Sequence, residues 1–519
     1  MSDFGNPKSL GFIVKKLFKV AGDGVWEKDY QSDRFMDSDM LQIDQNNVYH
    51  VYLRSGTGSV YTDKERTKVM NAVKTCQFET KSKILVETNN KPEALTLKCN
   101  GEVIVPRKDT AENSGTKHTL YLTDEIDISK SYSLDVDFGG GIKCTKNISV
   151  RKLYTKEFDE EFFYDGELGA IYTKEKTTFK VWSPVSSSIK LRIYNKGTPK
   201  SLDGTLGDDT YVEYDMSKGN KGVFSYELSG DLEGKYYTYF VTNGYYPQGR
   251  EVVDPYAKSC GVNGLRGMIV DFSKTNPEGW DGVNYLQYDR KELTVYETHI
   301  AELTCSETWG GSSEKAKKYE GFFQEGTTYT SGDKTVTTGF DHIKELGVNA
   351  VQIIPIFDQA NDELNPEFNW GYNPLNYNCL EGVYSSNPHD GYARIKEFKN
   401  LVKAYNEEGI TIIMDVVYNH VNGLSGCNFD VLMPFYYFRY TETGGASNGS
   451  GCGNETASDK LMFRKFMIDS IDFWTKEYKL GGYRFDLMGI HDIETMNQLV
   501  ASAKKINPYV CIYGEPWAG

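Results

Sequence analysis

The chain after about residue 290 alternates between short apolar runs and helical segments that end at glycine. The apolar runs lie at residues 293–299, 350–354, 410–417, 483–487 and 510–514. Nearly continuous apolar strands that alternate with helices are typical of a parallel sheet covered by helices. The pattern therefore predicts about five strands of an α/β domain of the (β/α)8-barrel type. A closed barrel of eight strands would need three more.

The helical segment before residue 483 shows the clearest periodicity. Its apolar side chains recur at helical spacing at Phe463, Phe466, Met467, Ile471, Trp474 and Tyr478. Ser458 is the predicted N-cap, because a short hydroxyl side chain can accept a hydrogen bond from a free N–H of the first turn. Gly481 and Gly482 are predicted to end the segment.

The earlier part of the chain indicates β structure. Short β-branched and aromatic runs are separated by Asn, Gly and Asp turns, and between residues 163 and 285 such turns recur about every ten residues. We expect a multi-domain chain with an N-terminal β module of unknown role at 1–155 and a β-sandwich at 163–285. The barrel-type domain would then occupy 290–519.

Composition excludes several classes of function. The formal net charge of −15 argues against a nucleic-acid partner. No apolar stretch reaches the length of about 20 residues that a membrane helix requires, and no signal peptide is recognisable, so we expect no membrane partner and a cytoplasmic location. The nine cysteines are scattered and form no Cys/His group with zinc spacing. No cofactor or metal is predicted.

Two carboxylates stand at the ends of neighbouring predicted strands. Asp486 and Glu515 are 29 positions apart, about the length of one strand–helix–strand unit. Parallel neighbours would direct both side chains into one cleft at the C-terminal edge of the sheet, where barrel enzymes place their active sites. Two carboxylates so placed are the minimum for glycoside hydrolysis. The same spacing would also fit two ordinary acidic residues at strand ends.

Four strings in this segment resemble the α-amylase clan of glycoside hydrolases and, more narrowly, its type I pullulanases. They are Phe-Asn-Trp-Gly-Tyr-Asn-Pro at 368–374, Asp-Val-Val-Tyr-Asn-His at 415–420, Tyr-Arg-Phe-Asp-Leu-Met-Gly at 483–489 and Tyr-Gly-Glu-Pro-Trp at 513–517. The loop at 448–455 is similar to a pullulanase loop. Residues 168–182 resemble the start of the starch-binding-type β-sandwich that precedes such barrels. The resemblance covers roughly residues 165–519.

The resemblance implies a role for each matched residue. Asp486 would be the nucleophile and Glu515 the general acid and then the base. Arg484 would keep Asp486 ionised, because a guanidinium two residues earlier lies on the same face of a strand and lowers the carboxyl pKa. The remaining substrate-binding residues would be Tyr372 as a stacking platform, Asp415, His420 and Trp517. Each of these side chains has a structural alternative: Asp415 could cap the following loop, His420 could be a hydrogen-bonded structural histidine, and Tyr372 and Trp517 could serve in packing.

The activity that the resemblance implies is retaining hydrolysis of α-1,6 branch links in pullulan or in dextrins derived from glycogen or starch. The α-glucan would be the substrate partner. Three departures qualify this interpretation. The family string usually begins with Tyr and has Asp where this chain has Phe368 and Asn373, and residues 299–303 after the first strand lack the Arg that is common in relatives. The third and largest is an absence. The family's later His-Asp pair would lie beyond Gly519. Alternatives are a non-catalytic dextrin-binding fragment or pseudoenzyme, and an isoamylase or glycogen-debranching type of hydrolase.

Overall fold

The computed structural model describes residues 71–111, 115–442 and 444–516, together with the backbone of six short strands nearer the N-terminus. Those strands form three antiparallel pairs, in which β1 pairs with β4, β2 with β3 and β5 with β6. Their bounds are β1 Ser9–Phe12, β2 Lys15–Lys19, β3 Val25–Asp29, β4 Arg34–Asp37, β5 Tyr52–Leu53 and β6 Val60–Tyr61.

The next eight strands form a sandwich of two four-stranded antiparallel sheets, with strand orders β10-β9-β13-β14 and β11-β12-β8-β7. Alternate residues of each inner strand point inward, so that Tyr132, Leu134 and Val136 of β13 are buried while their neighbours are half-exposed. The bounds are β7 Val73–Thr80, β8 Lys83–Thr88, β9 Ala94–Cys99, β10 Glu102–Val103, β11 Lys108–Ala111, β12 Lys117–Tyr121, β13 Tyr132–Asp137 and β14 Lys143–Asn147.

A short helix, α1 (Lys156–Phe162), leads to a second antiparallel sandwich. Its sheets have the orders β15-β16-β20-β19 and β18-β17-β21-β22, with β23 paired to β21. Val431 and Leu432, which follow much later in the chain, pack into its core. The bounds are β15 Gly169–Tyr172, β16 Lys176–Trp182, β17 Ser186–Tyr194, β18 Tyr211–Asp215, β19 Ser217–Lys218, β20 Val223–Ser229, β21 Tyr236–Asn243, β22 Arg250–Val252 and β23 Gly267–Met268.

The last part of the described chain contains a parallel sheet of five strands in the order β24-β27-β30-β31-β32. These strands are β24 Val295–Thr298, β27 Ala350–Ile353, β30 Thr411–Val416, β31 Gly482–Phe485 and β32 Cys511–Gly514. The helices are α2 Tyr319–Phe322, α3 Gly339–Leu346, α4 Gly391–Glu407, α5 Asn428–Leu432, α6 Leu461–Tyr478 and α7 Ile493–Ile506. Two hairpins complete this part, formed by β25 (Thr328–Ser331) with β26 (Lys334–Thr337) and by β28 (Phe357–Gln359) with β29 (Pro374–Leu380).

The expected fold class of β modules followed by a barrel-type α/β domain is confirmed. Each of the five expected strands is present and differs from its predicted bounds by no more than two residues at either end. The limits 1–155, 163–285 and 290–519 stay predictions. Within the described residues, no helix is both long and apolar enough to cross a membrane.

Helix α6 buries the apolar face that its periodicity predicts, including Phe463, Phe466 and Trp474. The predicted cap was wrong. The helix begins at Leu461 after Lys460, and the Ser458 hydroxyl instead donates to Asp492 Oδ2 at 2.8 Å. At the other end, Lys479 in the left-handed conformation follows the last helical residue, so the helix stops before the two glycines.

Candidate active site

Strand register places Asp415 and Arg484 side by side at the C-terminal edge of the sheet. Asp415 of β30 is the direct partner of Arg484 in β31, which in turn is the partner of Tyr513 in β32. Side chains at the same level on neighbouring strands point to the same face. The inward face of three adjacent strands therefore carries a carboxylate, a guanidinium and a phenol in one row.

Arg484 connects three carboxylates. Its Nη1 lies 3.0 Å from both carboxylate oxygens of Asp415 and 3.2 Å from Oδ1 of Asp486. Its Nη2 forms an ion pair with Oε1 of Glu515. Burial lowers the pKa of Arg484, but Asp415 and the other anions outweigh that effect, so its net shift is upward. We call Arg484, Asp415, Asp486 and Glu515 the strand-end cluster.

Asp486 has a second partner in Asn419. The Nδ2 of Asn419 donates to the Asp486 backbone oxygen at 2.9 Å and to Oδ2 at 2.8 Å. Because Arg484 contacts the other carboxylate oxygen, both oxygens of Asp486 are oriented. The Oδ1 of Asn419 lies 2.6 Å from Nδ1 of His420. Asn419 therefore holds Asp486 in place, and His420 in turn contacts Asn419.

Glu515 reaches the cluster because the backbone turns sharply after Asp486. Leu487 adopts the left-handed conformation, with φ 42° and ψ 49°, which is uncommon for a residue with a branched side chain. In that conformation its N–H donates to Oε2 of Glu515 at 3.2 Å. Strained backbone of this kind is concentrated at functional sites. The turn after β31 thus contacts the residue that follows β32, which brings Asp486 and Glu515 together.

Tyr372 covers the cluster from the loop between β28 and β29. Its hydroxyl donates to Oδ2 of Asp415 at 2.8 Å, and its backbone carbonyl lies 2.8 Å from Nε2 of His420. Gly371 precedes it with φ of +91°, and a Cβ there would come within 2.5 Å of the Pro355 carbonyl oxygen. Only glycine fits this close approach. The loop conformation therefore brings the Tyr372 hydroxyl onto Asp415.

The members of the strand-end cluster differ in solvent exposure: one carboxylate is buried at the bottom of the site and two are accessible. The side chain of Asp415 is 0% exposed, whereas those of Asp486 and Glu515 are 13% and 29% exposed. Burial raises the pKa of Asp415 to about 7, although Arg484 and the Tyr372 hydroxyl act in the opposite direction. Burial also lowers the pKa of His420. The two carboxylates that the spacing predicts to be reactive are thus the ones that solvent can reach.

Six of the seven predicted site residues lie together. They are Arg484 and, around it, Asp415, Asp486, Glu515, Tyr372 and His420. Trp517 lies outside the described residues. Two aromatic side chains of the loop that carries Tyr372, Phe368 and Trp370, are 59% and 62% exposed. They are exposed apolar surface on the loop between β28 and β29.

Family models match two parts of the chain. Residues 167–257 match carbohydrate-binding module 48, the isoamylase N-terminal domain, and residues 304–426 match the α-amylase catalytic domain. The pullulanase of Bacillus subtilis strain 168 is 35% identical over 389 residues, which is 73% of this chain and 51% of that protein. The chain is a homologue of the type I pullulanases.

Solved pullulanase structures agree with this relationship. The pullulanase of Anoxybacillus sp. LM18-11 complexed with maltotetraose superimposes with a TM-score of 0.72 at 36% identity, over 86% of this chain and 62% of that one. The type I pullulanase of Bacillus subtilis str. 168 complexed with maltose gives 0.71 at 30% identity, over 87% and 61%. The chain spans about half the length of the Bacillus subtilis pullulanase sequence.

Sequence reasoning gave Asn419 no catalytic or binding role, although it bonds to Asp486. The signal was present, since Asn419 stands directly before His420 in a string already singled out. It also gave no role to Gln352, whose Oε1 accepts from the Tyr513 hydroxyl at 2.5 Å across the sheet. That contact joins non-adjacent strands, so no local pattern could have indicated it.

Proposed function

We propose that the protein is a retaining glycoside hydrolase that cleaves α-1,6 branch links in α-glucans. One observation carries the proposal: a single guanidinium, Arg484, joins Asp415, Asp486 and Glu515 at the ends of three adjacent parallel strands. Retaining hydrolysis requires two carboxyl groups about 5–5.5 Å apart. Carboxylates that contact the same guanidinium lie close to one another, at a separation of about this size. The similarity to pullulanases supports the α-1,6 link as the bond that is cleaved.

Asp486 is the nucleophile in this proposal. Its carboxylate attacks the anomeric carbon, and the bond from that carbon to the glycosidic oxygen breaks as Glu515 protonates the oxygen. The first chain leaves as an alcohol, and a glycosyl ester remains on Asp486. Glu515, now a carboxylate, takes a proton from water, which attacks the same carbon and frees Asp486. Two inversions give net retention.

The other residues of the site position the sugar. Tyr372 offers an aromatic face, and sugars commonly stack on such faces through their apolar C–H side. The buried side chains of Asp415 and His420 hold Tyr372 in position beneath the sugar, through its hydroxyl and its backbone oxygen. Solved pullulanases have been described with maltotriose and maltotetraose, and we propose a substrate of the same chemistry here, such as pullulan or branched dextrins. A cytoplasmic location stays part of this proposal.

The test uses the full-length gene product and the release of reducing ends from pullulan. Asp486→Asn and Glu515→Gln should each lower kcat by several orders of magnitude while dextrin binding persists, because both groups act on the transition state. Matched controls are Asp333→Asn and Glu494→Gln, which change the same chemistry at exposed positions. Near-parental kcat in either active-site variant would refute the assignment.

Two further comparisons separate the alternatives. A wild-type protein that binds maltotetraose but releases no reducing ends from pullulan would be a dextrin-binding protein without turnover. Faster hydrolysis of glycogen than of pullulan would place the activity with the isoamylase type. A debranching enzyme of the proposed kind should hydrolyse pullulan and leave unbranched amylose intact.

A further inference from the structure

The glycine-rich loop at 448–455, which precedes α6, has an exposed tip and a buried base. Gly451 and Gly453 form the tip and have positive φ values of 74° and 89°. At the base, Asn454 and the adjoining Thr456 are only 2% and 0% exposed. Buried polar side chains nearly always have hydrogen-bond partners. The partners of these two residues therefore show what the loop holds.

Both side chains bind the backbone that follows β30. The Nδ2 of Asn454 donates to the Val421 carbonyl oxygen at 2.9 Å, and its Oδ1 accepts from the Val421 N–H at 3.1 Å. The Thr456 hydroxyl donates to the Tyr418 carbonyl oxygen at 2.6 Å. The Thr456 N–H donates to the carbonyl oxygen of Asn419 at 2.9 Å. Two loop residues thus make four hydrogen bonds to one short stretch of backbone.

This stretch, residues 418–421, carries the side chain that orients Asp486. Asn419 Nδ2 donates to the backbone oxygen and to Oδ2 of Asp486. The pairing of β30 with β31 ends at Val416, so the position of Asn419 depends on contacts outside the sheet. Besides the loop, the Tyr377 hydroxyl donates to the backbone oxygen of residue 420 at 2.5 Å. The loop therefore supplies much of the support behind Asp486.

A second connection runs from the loop to the turn after Asp486. The Arg439 N–H donates to the Glu455 carbonyl oxygen at 3.0 Å, and the two side chains form an ion pair at 3.7 Å. The Nη1 of Arg439 also donates to the Ile490 carbonyl oxygen at 2.8 Å, four residues after Asp486. The loop is thus connected both to the residue that orients Asp486 and to the turn that follows it.

We propose that Asn454 and Thr456 are positioning residues for the nucleophile. They fix residues 418–421, and Asn419 of that segment then keeps the Asp486 carboxylate where it attacks the anomeric carbon. This inference rests on the proposed function. Both residues are buried and act through Asn419 rather than on the sugar, so they affect the rate of reaction and not the binding of substrate.

Two substrates separate an effect on the nucleophile from an effect on the general acid. Hydrolysis of pullulan uses both Asp486 and Glu515. With α-maltotriosyl fluoride, Asp486 forms its bond to the anomeric carbon as the C–F bond breaks, and fluoride leaves as an anion with the electron pair. This step needs no proton from Glu515. Water then hydrolyses the glycosyl ester, so that the products are maltotriose, fluoride and a proton. A residue that positions the nucleophile should therefore affect both substrates alike.

The test measures kcat and KM of the full-length gene product on both substrates. Thr456→Val removes the hydroxyl and keeps the shape, and Asn454→Asp removes the donor to Val421. Each should lower kcat about tenfold on both substrates at unchanged KM, because a displacement of about 1 Å at a reacting group lowers the rate about 100-fold and a smaller shift is expected here. Thr456→Ser restores a hydroxyl and should recover most of the rate.

Thr327→Val and Asn400→Asp are matched controls. Thr327 is also buried, and its hydroxyl donates to the Thr338 carbonyl oxygen at 2.8 Å. The Asn400 amide donates to the Lys396 carbonyl oxygen at 2.9 Å on the surface of α4. These variants lose the same kinds of hydrogen bond elsewhere in the molecule. They should keep the parental kcat per folded molecule even where the melting temperature falls.

The outcomes distinguish the inference from the function on which it rests. Parental kcat in Thr456→Val and Asn454→Asp would overturn the inference and leave the loop with a packing role. A loss on pullulan alone would also overturn it, because the effect would then lie at Glu515. If Thr456→Val does not fold, Asn454→Asp decides between these outcomes. A parent protein that hydrolyses neither substrate would refute the proposed function and this inference together.

Discussion

We call the buried residues Arg394, Asp358, Glu363 and Glu381 the junction cluster. The strand-end cluster and the junction cluster contain the same groups, one arginine and three carboxylates, but differ in access to water. In the first, the carboxylates that pair with Arg484 include side chains that are 13% and 29% exposed. In the second, the pair of Arg394 with Glu363 is 0% and 1% exposed. The same set of side-chain groups thus lies once at the opening of a cleft and once in the protein interior.

This difference shows what each arrangement can do. Water at the open face solvates the surplus negative charge, and the carboxyl groups there are accessible to a substrate. In the interior the same surplus must be neutralised by a cation or by protons, because the desolvation of each ion costs several kcal/mol. The open cluster is therefore suited to reaction and the closed one to stability, and variants should separate the two roles.

Among variants that keep both Asp486 and Glu515, the largest effect is expected from Arg484→Met. Without the guanidinium, Asp415 and Asp486 repel each other and Asp486 loses the contact that fixes its orientation. A displacement of about 1 Å at a reacting group can lower the rate about 100-fold, and the lost charge adds to this effect, so we expect kcat on pullulan to fall by about 10²–10³-fold. The circular dichroism spectrum should stay unchanged.

Arg290→Met is the control, because Arg290 is exposed. Arg484→Lys should recover only part of the activity, since an ammonium cannot bind three carboxylates as a planar fork does. Parental kcat in Arg484→Met would mean that Asp486 does not depend on this contact.

The second effect concerns stability. Arg394→Met should lower the free energy of unfolding by about 3–5 kcal/mol, because it leaves Glu363 buried and unpaired. Urea titration measures this value, and the rate of pullulan hydrolysis per folded molecule should remain close to that of the parent. A loss of activity without a loss of stability would show that the two clusters are coupled and would contradict the division of roles.

The two clusters also differ in how far the sequence predicts them. Arg484 and Asp486 stand two positions apart on a strand, so their contact follows from local geometry. The pairing of Asp415 with Arg484 needs the strand order, which the alternating pattern supplies through parallel neighbours. The junction cluster draws on a hairpin, a loop and a helix at irregular spacing, and only tertiary packing brings its members together.

The wrong cap at Ser458 has a similar cause. A serine before an apolar helix is a good local candidate, but its hydroxyl bonds to Asp492, which is 34 positions away. A long-range partner thus replaced the local one. The same limit applies to Asn419, whose amide oxygen stays with His420 in its own loop while its amide nitrogen reaches Asp486, 67 positions away.

A third prediction concerns how stability depends on pH through Asp415, the buried carboxylate of the strand-end cluster. The pKa of Asp415 is raised from 3.8 to about 7 by burial, so the folded state binds a proton there that the unfolded state has lost. The stability from this proton is complete below about pH 4 and is lost as the pH rises through 7. Asp415→Asn should remove this dependence, which amounts to at most about 1.4 kcal/mol per pH unit.

Urea titrations at several pH values between 4.5 and 7.5 measure the difference between the parent and Asp415→Asn. That difference should change steadily across this range. Asp333→Asn, at an exposed hairpin position, should follow the parent at every pH. A constant difference between Asp415→Asn and the parent would show that Arg484 keeps Asp415 ionised throughout.

The smallest effect is expected from Tyr372→Phe, which removes the hydroxyl that donates to Asp415 and keeps the ring. A hydrogen bond to a charged group contributes about 1.5–3 kcal/mol, and the half-open site lets water replace part of it, so kcat/KM should fall about tenfold. Tyr372→Ala removes the ring as well and should lower kcat/KM further while the melting temperature changes little. If the melting temperature falls sharply and activity per folded molecule is unchanged, Tyr372 packs the loop. The aromatic platform of the open cluster would then have to be sought among the exposed rings of Phe368 and Trp370.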